Sequence, residues 1–110
     1  MPQDALLVLT TCPDRDTAER LATRLVESRL AACVNVIDSI RSTYRWQGKV
    51  ERDGEVLALI KSTGRAFEAL ERVIKDESAY ELPEVLAVPV KDGSRAYLDW
   101  LIESVEAKES

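Results

Sequence analysis

An α+β fold is predicted by three features of this chain: strand–helix–strand–strand–helix–strand, closed by one further helix. Apolar runs at 5–9 and 56–60 are unbroken, as in strands covered on both faces. Three other segments repeat apolar residues at helical spacing. Between them, the β-rich stretch 30–61 shows a single obvious turn.

The elements follow in order. The first strand, Ala5-Leu6-Leu7-Val8-Leu9, ends at Cys12-Pro13-Asp14. Asp16 and Glu19 have the spacing of a capping box, and Ala18, Leu21, Ala22 and Leu25 then form one buried stripe of a helix. The second strand is expected from Leu30 through Cys33, Val34, Val36, Ile37 and Ile40 to Trp46. Gln47-Gly48 reads as the hairpin turn, and the return strand runs from Lys49 to Lys61, with Asp53-Gly54 a bulge or a second tight turn. Thr63 is expected to cap a second helix whose face carries Ala66, Leu70, Val73 and Ile74. A polar loop with Tyr80, Glu81 and Pro83 leads to a fourth strand at 85–90. Asp92-Gly93-Ser94 makes a turn and cap before a last helix burying Leu98, Leu101, Ile102 and Val105.

This order is the ferredoxin-like pattern, with strands one and three central and strands two and four on the edges. Pro89 in strand four agrees, since proline is confined to sheet edges and bulges. Strands two and three are longer than the usual 3–10 residues. Their hairpin therefore projects beyond the helices with Tyr44 and Trp46 on one face. A long edge carrying aromatics invites a second chain, and a symmetric oligomer is the economical way to cover it.

Composition narrows the function. A chain of 110 residues is one domain (1–110), and 45% hydrophobic residues suffice for a small core. Twenty acidic against fifteen basic residues give a formal charge of -5, with the signs mixed along the chain. No basic stripe for nucleic acid stands out. No apolar stretch is long enough for a membrane helix, and the N-terminal run lacks the form of a signal peptide. The expected compartment is the cytoplasm, where Cys12 and Cys33 remain thiols. Nucleophile elbow, P-loop and dinucleotide fingerprint are all missing, and no nucleophile has an evident base, so no enzyme is expected.

Four segments carry a resemblance: Leu30-Ala31-Ala32-Cys33-Val34-Asn35, Tyr44-Arg45-Trp46-Gln47-Gly48, Tyr80-Glu81-Leu82-Pro83-Glu84 and Tyr97-Leu98-Asp99-Trp100. In that order and spacing they resemble the CutA family of divalent-cation tolerance proteins, over nearly the whole chain. The resemblance implies a ferredoxin-like homotrimer with an architectural likeness to the PII signalling proteins. It also implies a link to copper and other divalent metals, and no agreed enzymatic activity. One position departs: Ser78 stands where the family commonly has histidine, and the chain contains no histidine. Loss of imidazole weakens the case for Cu(II) or zinc.

Candidate residues carry two readings each. Cys33 is a soft donor suited to Cu(I), with Cys12 as a second thiol, or each is a small buried apolar residue. Glu55, Lys61, Glu81 and Glu84 hold a cation or a ligand's amine in a cleft between subunits, or are ordinary strand-end charges and trimer salt bridges. Tyr44 and Trp46 are expected as trimer anchors. Tyr80, Tyr97 and Trp100 line a small-ligand pocket at the same boundary or anchor it. Two functions follow: a trimeric copper or divalent-cation tolerance protein with weak metal binding, or a PII-like sensor or scaffold without it.

Overall fold

The computed structural model describes residues 4–105, in the order β1 (Ala5–Cys12), α1 (Arg15–Glu27), β2 (Cys33–Trp46), β3 (Lys49–Thr63), α2 (Phe67–Glu77), β4 (Leu86–Pro89) and α3 (Arg95–Ser104). The sheet order is β2-β3-β1-β4, with every neighbouring pair antiparallel. The expected topology holds, with the edge position of Pro89 included.

Alternation decides the two faces of this sheet. Val8, Cys12, Val56, Ala58 and Ile60 point to one side and meet Ala18, Leu21 and Leu25 of α1 and Leu70 and Ile74 of α2. Leu7, Leu9, Leu57 and Leu59 occupy the intervening positions and belong to neither buried cluster. A second, smaller core lies where β1 begins: Ala5 and Ala66 pack with Leu101 and Val105, so α3 closes that end of the sheet.

Three local expectations are corrected. Asp14, not Asp16, caps α1, its extended backbone (φ -153°) directing the carboxylate to accept from the Thr17 amide at 2.8 Å. Thr63 is no cap: it ends β3 opposite Ala5, fully buried, and α2 starts after Ala66 without a side-chain cap. The second strand starts at Cys33 rather than Leu30, because Arg29 takes a left-handed turn (φ 62°) and Leu30 returns its amide to the Leu25 carbonyl. The Arg29 side chain meanwhile donates to the Glu103 carbonyl at 3.2 Å, joining the end of α1 to the end of α3.

The hairpin turn is Gln47-Gly48, both at positive φ (51° and 82°), the geometry that matches strand twist. Asp53 and Gly54 instead sit in regular register opposite Ser42 and Arg41. The irregularity lies across the ladder, between Ile37 and Ile40, where Ser39 has φ 63° and two residues of β2 oppose one of β3. Arg15 at the start of α1 pairs with Asp38, tying this bulge to the helical layer. Beyond it the two strands form a two-stranded arm, and the molecule reaches 43 Å in its longest dimension.

Candidate functional site

The expected cleft residues divide into two groups at opposite ends of β3. At the base of the arm, Glu55 extends from β3 beside the end of β1. The loop after α2 reaches it because Ser78, the extended residue just past the end of that helix, accepts the Tyr80 amide at 3.0 Å through its hydroxyl. Tyr80 then donates its hydroxyl to the Glu55 carboxylate at 2.6 Å. Burial first, and this hydrogen bond second, push the Tyr80 phenol well above its ordinary range. The Glu84 carboxyl is raised too, by partial desolvation and then by the charge of Glu55, although the residue as a whole is exposed. Ser78 therefore performs a local backbone task at the position where the family commonly has histidine.

Cys12 borders this group from the helical side. Burial, followed by Asp14 and Glu55, pushes its thiol up to about 11, so it is protonated at neutral pH and a poor soft donor. Cys33 cannot share an ion with it inside one protomer. Cys12 stands opposite Val56 and Cys33 opposite Lys61, five residues along β3, or about 17 Å, with the two thiols on opposite sides of the sheet.

At the other end Lys61 enters the open side of the sheet. Its ammonium donates to the Tyr97 hydroxyl at 3.4 Å and lies 5.7 Å from the centre of that ring. Tyr97 stacks on Trp100 with centroids 5.4 Å apart and planes tilted by 42°. Both rings are nearly half exposed, and Cys33 is the rung opposite Lys61. No carboxylate pairs with Lys61 among the described residues. Glu81 is exposed and joins neither group.

Tyr44 and Trp46 share one face of the arm, opposite Glu51 and Lys49. The Tyr44 hydroxyl donates to Asp53, a partner the motif reading missed, and this bond more than anything else pushes the phenol up to about 12. The signal was available: Asp53 lies on the same face as Glu51 two residues along β3, diagonal to Tyr44.

A divalent metal was tested against these donors. Among the described residues no group of three or more cysteine, aspartate or glutamate side chains is placed to hold one. Glu55 and Glu84 are a bare pair, and Glu55 is already committed to Tyr80. The described residues of one protomer do not fit a metal centre. No described helix is long and apolar enough to cross a membrane.

Comparison with known proteins agrees with the fold. Residues 6–104 match the family model described as CutA1 divalent ion tolerance protein. The "Divalent-cation tolerance protein CutA" of Thermus thermophilus is 47% identical over 98 residues, covering 89% of this chain and 95% of that protein. A solved structure from the same organism superposes with a TM-score of 0.91 at 45% identity, covering 93% of this chain and 99% of the other. The "periplasmic divalent cation tolerance protein CutA" of Archaeoglobus fulgidus gives 0.89 at 35% identity, over 93% and 99% of the two chains. A rice relative, "Protein CutA 1, chloroplastic", is 40% identical over 91% of this chain, which spans 56% of that longer protein. These names belong to more than one compartment.

Proposed function

The chain belongs to the CutA1 divalent ion tolerance family, whose members are non-enzymatic, and on that premise we propose that it acts as a trimer in tolerance of divalent cations. One observation carries the trimer: among the described residues, no helix packs over the central apolar part of the sheet's open face. Leu7, Leu9, Leu57 and Leu59 line its centre, and Ile37, Leu86 and Val88 are 41, 58 and 47% exposed around them. A face of that size and character marks an interaction surface. The same side of the sheet continues along the arm past Ile40, Glu55, Ser42 and Asp53 to Tyr44 and Trp46, so an apolar patch and an aromatic patch face one way.

Copper enters this proposal weakly. Among the described residues Cys33 is the one soft donor on the open face, and a single thiolate per protomer makes a weak Cu(I) contact at best. Two free thiols suit a reducing compartment, which supports the cytoplasm as the place of action. The second reading, a PII-like sensor of a small ligand, is favoured by Lys61, a cation that has no carboxylate partner among the described residues and lies beside two half-exposed rings.

Native mass spectrometry of the reduced protein, alone and with Cu(I), Cu(II) and Zn(II), tests both parts. A trimer whose bound copper disappears in Cys33→Ser is expected from the first reading. A bare trimer removes direct metal binding and leaves the sensor. A monomer at micromolar concentration removes the assembly on which both rest.

A further inference from the structure

The arm sorts its charges by side. On the open side Ile40, Ser42, Tyr44 and Trp46 of β2 share a face with Lys49, Glu51, Asp53 and Glu55 of β3. On the helical side Arg41, Thr43 and Arg45 stand opposite Gly54, Arg52 and Val50. All six of these residues are exposed, and no carboxylate is among them. None of the three arginine side chains has a hydrogen bond or ion pair among the described residues. Arg52 lies diagonal to both Arg41 and Arg45, at about 7–8 Å between backbones. No arginine stands directly opposite another, but three guanidinium groups share one exposed face with no carboxylate to offset them, and uncompensated local conflicts of this kind concentrate at functional surfaces. The repulsion is more telling in a protein whose formal charge is -5.

From this juxtaposition we propose that Arg41, Arg45 and Arg52 form a binding face for a phosphate chain, an anion with several linked phosphate groups. Planar guanidinium forks match phosphate oxygens two at a time, and three forks at this spacing address adjacent groups of one chain. The Thr43 hydroxyl lies between them as a further donor. No aromatic side chain occupies this side of the arm, so the face reads phosphate and offers no platform for stacking a base.

The acidic side of a second copy is the competing occupant, and two observations disfavour it. Asp53 already accepts from Tyr44 and Glu55 from Tyr80, so those carboxylates are in use. The acidic side is also continuous with the uncovered apolar sheet, whereas the arginines point the other way. Their accessibility therefore rests on the proposed assembly through the open face.

Titration calorimetry at low ionic strength, with inorganic tripolyphosphate and magnesium-free ATP as separate ligands, tests the site, while sedimentation of the same samples tests the assembly. Binding of tripolyphosphate that weakens steeply with salt is expected, with about a tenfold loss in Arg52→Gln. The triple variant R41Q/R45Q/R52Q, which relieves the repulsion and so keeps the fold, is expected to show no binding and unchanged sedimentation. Arg52→Lys keeps the charge without the fork and is expected to fall between. Equal affinity for the two ligands assigns the site to the phosphate chain alone, and tighter ATP assigns it to a nucleotide. Absence of heat with either ligand overturns the proposal, as does equal binding of oligoglutamate. A triple variant that sediments lighter than the parent overturns it too, by giving the arginines to a subunit contact.

Discussion

Leu59→Ala separates the uncovered sheet face from the core beneath it. Leu59 stands on β3 between Leu9 and Asn35, on the side away from the helices, and is half-buried in the protomer. Full burial of a leucine side chain contributes about 1.5–3 kcal/mol, so the half that remains for assembly amounts to about 1 kcal/mol per copy. A trimer buries it three times, giving about 3 kcal/mol, or about two powers of ten in the assembly constant. Leu25→Ala is the matched control, because Leu25 is fully buried against the helical side and its truncation costs about 2–5 kcal/mol of folding stability. Sedimentation velocity through a dilution series, with thermal unfolding at each concentration, reads both quantities. Leu59→Ala is expected to dissociate at concentrations where the parent stays assembled, with the protomer still folded. An unchanged dissociation curve, with a melting temperature lowered as in Leu25→Ala, would place Leu59 in the protomer's own core and refute the assembly argument.

Trp46→Ala removes the anchor at the end of the arm and is expected to weaken assembly by about 2 kcal/mol, measured in the same dilution series; parent-like sedimentation would show that the arm carries no weight. Glu84→Gln tests the carboxyl pair at the arm's base. Its pKa is raised in the fold, so the protonated form is preferred, and the ionised group detracts from stability once pH rises through the folded value. The substitution should therefore stabilise at pH 7 and lose its advantage in acid, as urea unfolding across pH would record. Finally, Cys33→Ser leaves Cys12 as the single thiol; raised from 9.0 to about 11, it should react with a disulfide reagent about a hundredfold more slowly in the folded protein than after denaturation. Equal rates would mean that Cys12 is not held as the buried thiol described above.

The topology was legible because local pattern and global order agree in this chain. Unbroken apolar runs mark the two central strands, and Pro89 marks an edge. Motif spacing also located the residues of both end groups. It could not divide them, since Glu55 and Lys61 are six residues apart on one strand yet serve opposite ends of the sheet. The capping residues were misjudged for a shared reason. Asp14 and Asp16 are equally good caps by type, and which one acts is set by where the backbone leaves β1. Thr63 has a capping side chain but was claimed by the sheet, as its pairing with Ala5 shows. The arginine face stayed hidden because 41–55 carries four basic and three acidic residues and reads as mixed charge. Period-two geometry then sends the three arginines to one side and the three carboxylates, with Lys49, to the other.

The bulge at Asp38 and Ser39 gives β2 two allegiances. Val34, Val36, Ile40, Tyr44 and Trp46 all fall on even positions, which looks like one apolar rhythm broken only at Asp38 and Ser42. Before the bulge the even positions belong to the helical side, and after it they belong to the open side. The distal half of the strand can thus vary to suit a partner without touching the helical core, whereas in the proximal half the even positions serve that core and Cys33, Asn35 and Ile37 face the open side. A lineage that changes its companions need not renegotiate its core, and the boundary between these two kinds of selection is a single residue wide.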